Sequence, residues 1–269
     1  MKIGFIGAGN MASAIVRGVV AAGLDADEIY LTDRSGKSAP ALATEVGAHA
    51  LADNHELAQT ADVIVLGVKP HAVEDVLKEI TPEISDGSKL VISLAAGKSL
   101  ASLQQATETN VPIVRVMPNV NAAIGESMTG IARGAAASSK HVEMTKEIMV
   151  PVGRCLVIDE VHFPIFSALA GCSPAWMYQI VDDFARAGVN HGLTKHQAVA
   201  IVAQSMLGSA QMILDEAAND GATPANLIDR VTSPGGTTIA GLLAAQQSGL
   251  STVLGLAVDA AVARDGELG

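Results

Sequence analysis

The sequence predicts an α/β fold: an N-terminal Rossmann-type, doubly wound and mostly parallel sheet over residues 1–160, followed by an all-helical region over residues 161–269. Three observations predict it. The chain opens on an apolar strand, a glycine turn and an amphipathic helix; strands and helices then alternate through the first half; and past about residue 160 long apolar helices take over.

The opening is Lys2-Ile3-Gly4-Phe5-Ile6, then Gly7-Ala8-Gly9-Asn10-Met11-Ala12, then Ile15, Val16, Val19 and Val20 at helical spacing. Strand, G-x-G-x-x-A turn and helix start, in that order, form the entry of a dinucleotide-binding unit in which a pyrophosphate rests on backbone amides at the helix N-terminus. Gly7 makes the turn, Gly9 leaves room for the phosphates, and Ala12 lets the helix pack close to the strand. Ala8, Asn10 and Met11 complete the candidate coenzyme set at this end. A second strand, Glu28-Ile29-Tyr30-Leu31-Thr32, runs into Asp33-Arg34-Ser35. Asp33 suits a free ribose 2′-hydroxyl, whereas Arg34 and Ser35 suit a 2′-phosphate. The Arg-Ser pair favours NADP(H) and leaves NAD(H) possible. Asn54, after Ala52-Asp53, is either the N-cap of the next helix or a ribose contact.

Three further strands follow. Asp62-Val63-Ile64-Val65-Leu66-Gly67-Val68 reads as a buried strand stopped by Lys69-Pro70. Leu90-Val91-Ile92-Ser93-Leu94 runs out into Ala95-Ala96-Gly97, and Val111-Pro112-Ile113-Val114-Arg115-Val116 ends at Met117-Pro118-Asn119. In open α/β sheets ligands bind beyond the carboxyl ends of the strands. Val68, Lys69, Pro70, Ala95, Ala96, Gly97 and Asn119 are therefore expected to ring the coenzyme crevice.

From Val161 to Leu214 the only formally charged residues are Asp182, Asp183, Arg186 and Lys195, and helices break near Gly171-Cys172-Ser173-Pro174 and Gly192-Leu193-Thr194. Helices this apolar cannot hide every side within one small domain, which predicts burial against a second copy in a homodimer or larger homo-oligomer. Near the far end, Ser233-Pro234-Gly235-Gly236-Thr237-Thr238 precedes the helix-like stretch Ile239-Ala240-Gly241-Leu242-Leu243. A tight turn leading into a helix start offers unpaired N–H groups and a positive dipole end. Hydrogen bonds to a charged group contribute about 1.5–3 kcal/mol each and the dipole about 0.3–1 kcal/mol. Two or three such donors hold a carboxylate without any Arg or Lys, so Ser233, Gly235, Gly236, Thr237 and Thr238 form a candidate anion socket.

The formal charge of −11 and the lack of a basic run argue against nucleic acid. Cys155 and Cys172 are far apart and suit a reducing, cytoplasmic compartment. The seven histidines occur singly, without ligand spacing, so no metal is expected; His71, beside Lys69-Pro70, is the one nearest the crevice. The N-terminus is explained by the glycine turn rather than by a signal peptide, and no uninterrupted apolar run suggests a membrane span.

Together, Phe5-Ile6-Gly7-Ala8-Gly9-Asn10-Met11, Val68-Lys69-Pro70, Met117-Pro118-Asn119, Gly171-Cys172-Ser173-Pro174-Ala175 and Ser233-Pro234-Gly235-Gly236-Thr237-Thr238 closely resemble the pyrroline-5-carboxylate reductase family over essentially the whole chain. The resemblance implies a dinucleotide domain, a helical dimerisation domain, and reduction of 1-pyrroline-5-carboxylate to L-proline by NADPH or NADH. It further implies that the late loop belongs to the substrate site at the dimer interface, with Thr238 beside the imine nitrogen as the catalytic residue. Ala170, Cys172 and Trp176 depart from the family habit of Ser, Ser and Tyr, which bears on fine specificity. A β-hydroxyacid dehydrogenase would need a Lys on the first long helix, and no Lys occurs between Lys146 and Lys195. A non-catalytic dinucleotide sensor would have no use for the late loop.

Overall fold

Short runs of Ile, Val, Leu and Phe, bounded by glycine or charge, build the centre of an eight-stranded sheet. In the computed structural model, which describes residues 1–219 and 221–268, the elements begin β1 (Ile3–Ile6), α1 (Asn10–Ala21), β2 (Ile29–Thr32), α2 (Ser38–Val46), β3 (His49–Ala50), α3 (Asn54–Thr60), β4 (Val63–Leu66) and α4 (Val73–Ile84). They continue β5 (Leu90–Ser93), α5 (Leu100–Thr107), β6 (Ile113–Met117), β7 (Ser127–Arg133), α6 (Ser139–Met149) and β8 (Gly153–Val157). Helices follow: α7 (Phe163–Phe166), α8 (Ser173–Asn190), α9 (Lys195–Asn219), α10 (Pro224–Val231), α11 (Thr237–Gln247) and α12 (Leu250–Leu268). The chain divides into two compact units, Met1–Gly171 with Ala261–Gly269, and Cys172–Ala260.

In the first unit the strand order is β3-β2-β1-β4-β5-β6-β7-β8, with Ile6 in register with both Thr32 and Leu66. All neighbours are parallel except β6 and β7. Strands β1, β2, β4, β5 and β6 are buried almost throughout, which is why they read as unbroken apolar runs. On β4, Val63 and Val65 join Phe5, Ile15, Val16 and Leu31 in one core, while Ile64 and Leu66 join Ile6, Leu57, Leu77 and Ile80 in another. Burying each such side chain stabilises the fold by about 1.5–3 kcal/mol. Gly4 lets α3 approach β1, since a Cβ there would stand 2.4 Å from Leu57 Cδ2.

A smaller cluster of Met117, Ala132, Phe163, Phe166 and Ala170 closes the far end of the sheet. Arg115 reaches it from β6, stacking 4.5 Å above the Phe163 ring and pairing with Glu160 at 2.8 Å. Glu160 also accepts the Leu100 amide at 2.7 Å, which ties the start of α5 to the same charge pair.

Three sequence expectations meet a different outcome. The helix break near Gly171–Pro174 is absent: α7 passes through a π-helical turn, Ser167–Cys172, directly into α8. Pro174 lies in the first turn of α8, just after the π-helical turn. β4 stops at Leu66, ahead of Lys69-Pro70, because the chain must clear the glycine turn after β1. And one apolar segment of membrane-crossing length does exist: Lys195–Glu216, 22 residues with mean hydropathy 1.3. His196, Gln197, Gln204, Ser205, Ser209 and Gln211 interrupt the run, but the apolar residues between them outweigh these polar ones in the average. The bent pair α11 and α12 passes the same test of length and composition.

In the second unit α8 and α9 run back to back through the turn at Gly192, whose φ is +96°. Asp182 holds both helices, accepting from Arg186 Nε at 2.6 Å and from Lys195 Nζ. Outside that contact Phe184, Ile201 and Leu207 are each more than half exposed.

Candidate coenzyme cleft and anion socket

The strand order reverses between β1 and β4, and there, beyond the carboxyl ends of the strands, lies a cleft of about 1040 Å³. Its floor is a pair of glycines. Gly7, at φ +100°, donates its amide to Thr32 O at 2.8 Å, and a Cβ on it would stand 2.8 Å from the Gly67 carbonyl carbon. Gly67 donates to Ile6 O at 2.9 Å, and its own Cβ would meet Gly7 O at 2.8 Å and Ala12 Cβ at 2.9 Å. The two turns can approach this closely only without side chains.

Gly9 is the converse case. Nothing lies within 4 Å of where its Cβ would be, so the space above it is an open cradle. Gly9 is the N-cap of α1, with no side-chain cap and no acidic residue in the first turn. The Asn10, Met11 and Ala12 amides are those that a helix leaves without intrahelical partners. An open cradle floored by free amides fits a pyrophosphate, and thus a dinucleotide coenzyme.

Beyond β2 the three competing residues separate. Asp33 turns into its own loop, accepting the Ser35 amide at 3.2 Å, the Ser35 hydroxyl, and the Ser38 and Ala39 amides at 3.4 and 3.1 Å. Burial pushes its carboxyl up, but the Ser35 hydroxyl and the Ala39, Ser38 and Lys37 amides outweigh it and hold the group below the ordinary carboxylate range. Ser35 is thereby engaged and stands off the cleft lining. Arg34 lines the cleft and has no carboxylate partner among the described residues. The N-cap of α3 is Asp53, which accepts the Glu56 amide at 2.8 Å. That leaves Asn54 at the first helical position, where it lines the cleft, accepts from Thr32 Oγ1 at 2.8 Å and donates to Glu79 Oε2 at 3.1 Å.

On the β4 side Val68, Lys69 and His71 stand on the lining, with Pro70 just behind as the opening of a short 3₁₀ turn. After β5 the lining is Leu94; Ala95 is buried, and Ala96 and Gly97 lie off it. Ala8 is also off the lining, its carbonyl accepting the Ser13 hydroxyl at 3.2 Å. Asn119 is on the lining but mostly buried. Its Nδ2 donates to Ala170 O at 2.9 Å and its Oδ1 accepts the Asn121 amide at 3.1 Å. Asn119 therefore holds the π-helical turn that brings Gly171 into the cleft wall. Gly67, Glu79 and Gly171 are not expected at the cleft from sequence, where Gly171 enters only as a helix break and a family motif and Gly67 only as a glycine after a buried strand.

In the second unit, Ser233 to Gly236 form a turn closed by the Gly236 amide on Ser233 O at 3.0 Å. Pro234 and Gly235, the latter at φ +67°, occupy the positions that a type II turn reserves for them. Gly236 is the N-cap of α11 and has no side-chain cap. With the Gly236 amide committed to the turn, the free donors are the Thr237, Thr238 and Ile239 amides of the first helical turn. The Thr238 hydroxyl makes no hydrogen bond among the described residues. By contrast Thr44, Thr60, Thr81, Thr145 and Thr232 all donate to the carbonyl four residues back. Among the described residues no group of three His, Cys, Asp or Glu side chains is disposed to hold a metal.

Two family models match the chain: pyrroline-5-carboxylate reductase dimerisation over residues 160–268, and NADP oxidoreductase, coenzyme F420-dependent, over residues 2–97. A pyrroline-5-carboxylate reductase from Methanosarcina acetivorans is 35% identical over 269 residues, covering 100% of this chain and 98% of the relative. The structure of a pyrroline-5-carboxylate reductase from Coxiella burnetii superposes with a TM-score of 0.94 at 33% identity, covering 100% of this chain and 98% of that one. The pyrroline carboxylate reductase of Plasmodium falciparum, solved with NADP bound, superposes with a TM-score of 0.86 at 28% identity, with the same coverage.

Proposed function

This chain belongs to the pyrroline-5-carboxylate reductase family, and from that premise we propose how its residues divide the work. The reaction is the reduction of 1-pyrroline-5-carboxylate to L-proline with NAD(P)H, the last step of proline biosynthesis. When bound, the reduced nicotinamide supplies the hydride. The chain's own groups bind, orient and exclude water.

The observation that carries the coenzyme assignment is the open cradle over Gly9 beside the close-packed Gly7–Gly67 pair. The pyrophosphate rests on the Asn10 and Met11 amides, Val68 and Lys69 flank it on the β4 side, and Asn119 shapes the opposite wall through Gly171. Ala8, Pro70, Ala95, Ala96 and Gly97 support the lining from behind. NADP(H) is the preferred coenzyme, because Arg34 lines the cleft without a carboxylate partner among the described residues and Asp33 is held in its own turn, with Ser35 acting through Asp33. NAD(H) serves as well. Replacing Arg34 with Ala should raise KM for NADPH about tenfold and KM for NADH much less, the loss of one charge-assisted contact.

The Ser233–Thr238 turn clamps the substrate carboxylate. Gly235 and Gly236 shape the turn, Ser233 anchors it, and the Thr237 and Thr238 amides face the anion. The Thr238 hydroxyl, without a partner among the described residues, hydrogen-bonds the ring nitrogen. A ring nitrogen that already carries a proton from solvent needs no dedicated side-chain acid: the C=N carbon takes the hydride and the nitrogen keeps its proton and gains the electron pair.

The match of residues 160–268 to a dimerisation region supports a homo-oligomer, and on this reading a homodimer is the smallest active form. A reducing, cytoplasmic setting accords with its two free cysteines and its demand for reduced coenzyme. The test is spectrophotometric: nicotinamide absorbance should fall with racemic 1-pyrroline-5-carboxylate and proline should accumulate in equal amount. Constant absorbance at saturating substrate would overturn the assignment.

A further inference from the structure

At the end of the second strand of a Rossmann-type sheet, the first acidic side chain ordinarily accepts the adenosine ribose 2′-hydroxyl. Here that residue is Asp33, and it is committed elsewhere, accepting the Ser35, Ser38 and Ala39 amides and the Ser35 hydroxyl within its own loop. A second carboxylate reaches the same end of the cleft from α4. Glu79 shares the lining with Arg34 and Asn54. It is exposed and has no cationic partner among the described residues. Its Oε2 accepts Asn54 Nδ2 at 3.1 Å, and its Oε1 carries no hydrogen bond among the described residues.

Asn54 is fixed from both sides. Its Oδ1 accepts from Thr32 Oγ1 at 2.8 Å, and Thr32 is buried at the last position of β2. A flipped amide would set its carbonyl against the Glu79 carboxylate, so Thr32, Asn54 and Glu79 form a chain of defined polarity from β2 across α3 to α4. That chain ties a carboxylate oxygen, ready to accept, to the end of β2, and the cleft it lines is also lined by Arg34, a donor two residues beyond Thr32.

We infer that Glu79, positioned by Asn54 and Thr32, reads the adenosine 2′ position: its free oxygen accepts the 2′-hydroxyl of NAD(H) and repels the 2′-phosphate of NADP(H), in opposition to Arg34. Coenzyme preference is then the difference between a cation on the β2 loop and an anion on α4. The inference rests on the coenzyme cleft proposed above, and the experiment separates the two.

Calorimetry on the full-length chain gives dissociation constants for NADH and NADPH in the wild type, Glu79→Gln and Gly9→Val. Glu79→Gln keeps an oxygen for Asn54 Nδ2 and removes only the charge. The ratio of Kd for NADH to Kd for NADPH should rise about tenfold, through weaker NADH, tighter NADPH or both. A purely structural Glu79 would shift both constants by the same factor; that result, or no shift, overturns the inference. Gly9→Val fills the cradle and should abolish binding of both coenzymes. If it does so while Glu79→Gln leaves the ratio within about twofold, the cleft stands and the role of Glu79 falls. If Gly9→Val leaves both constants unchanged, the cleft is not the coenzyme site and both readings fall.

Discussion

A threonine at the second position of a helix has no carbonyl four residues back within the helix to accept its hydroxyl, and this separates Thr238 from the five helical or helix-end threonines that do bond backwards. Its hydroxyl is available. Thr238→Ala is expected to lower kcat/KM by about 10–100-fold, or about 1.4–2.7 kcal/mol of transition-state stabilisation, with coenzyme affinity and oligomeric state unchanged. An unchanged kcat/KM in steady-state kinetics would remove Thr238 from the mechanism. Gly67→Ala tests the cleft floor. Its Cβ would press on backbone, Gly7 O at 2.8 Å, which cannot rotate aside, so coenzyme affinity should fall at least about tenfold. Calorimetry decides, and wild-type affinity would show that the turns have room to spare. Glycines of this kind were legible in the sequence because a missing side chain is itself the signal. The role of Gly67 was not, because its need arises only where Gly7 from another strand comes opposite. Asn54 shows the same limit: sequence left N-cap and ribose contact open, and Asp53, whose carboxylate takes the capping bond, removes the first of them.

Elements carry a second layer of information that residues alone do not. The parallel strands β1, β2, β4, β5 and β6 were legible because burial on both faces leaves continuous apolar runs. The antiparallel β7 and its parallel neighbour β8 were not, since Ser127, Thr129, Gly130, Gly153 and Arg154 dilute the pattern. Nor could α4 be seen to furnish the cleft with Glu79, because its reach depends on the α3–α4 packing. That packing has a titratable strap. His55 on α3 bonds Glu83 on α4 at 3.0 Å; this bond, aided by the charges of Glu83, Glu79 and Asp53, raises the His55 pKa against the opposing effect of burial. A raised folded pKa means that the stabilisation is fully present below the unfolded value of about 6.5 and is lost as pH rises through the folded one. The wild type should therefore exceed His55→Gln in denaturant midpoint at pH 6, and the two should converge at pH 9. A difference of equal size at both pH values would assign the strap to something other than charge. At the other end of the sheet, Arg115→Ala leaves Glu160 without its cation and Phe163 without its stacking partner. A loss of about 3 kcal/mol is expected in equilibrium unfolding, toward the low end for a buried pair because Glu160 keeps contact with water.

For the whole molecule, the decisive quantity is apolar surface that the single chain leaves uncovered. In the second unit, Phe184, Leu207, Val253 and Leu256 are each more than 60% exposed, and α9 is apolar enough to pass for a membrane span. Patches of that extent call for a partner, and the match of residues 160–268 to a dimerisation region supports a second copy as that partner. The sequence conveyed this through the scarcity of charge from Val161 to Leu214, although it could not show which faces α8 and α9 consume on each other and which they reserve. Association should then be sensitive to one buried charge. Leu207→Glu places a carboxylate on the reserved face, where an unpaired ion costs several kcal/mol once a second copy covers it, while the isolated unit keeps the group in water. The variant should fold with wild-type helix content yet sediment as a monomer at micromolar concentration. With the homodimer proposed as the smallest active form, its proline synthesis should fall in proportion to the dimer lost and recover as protein concentration rises. Wild-type protein that sediments as a stable, fully active monomer at that concentration would end the argument, since the exposed helices would then have no use for a second copy.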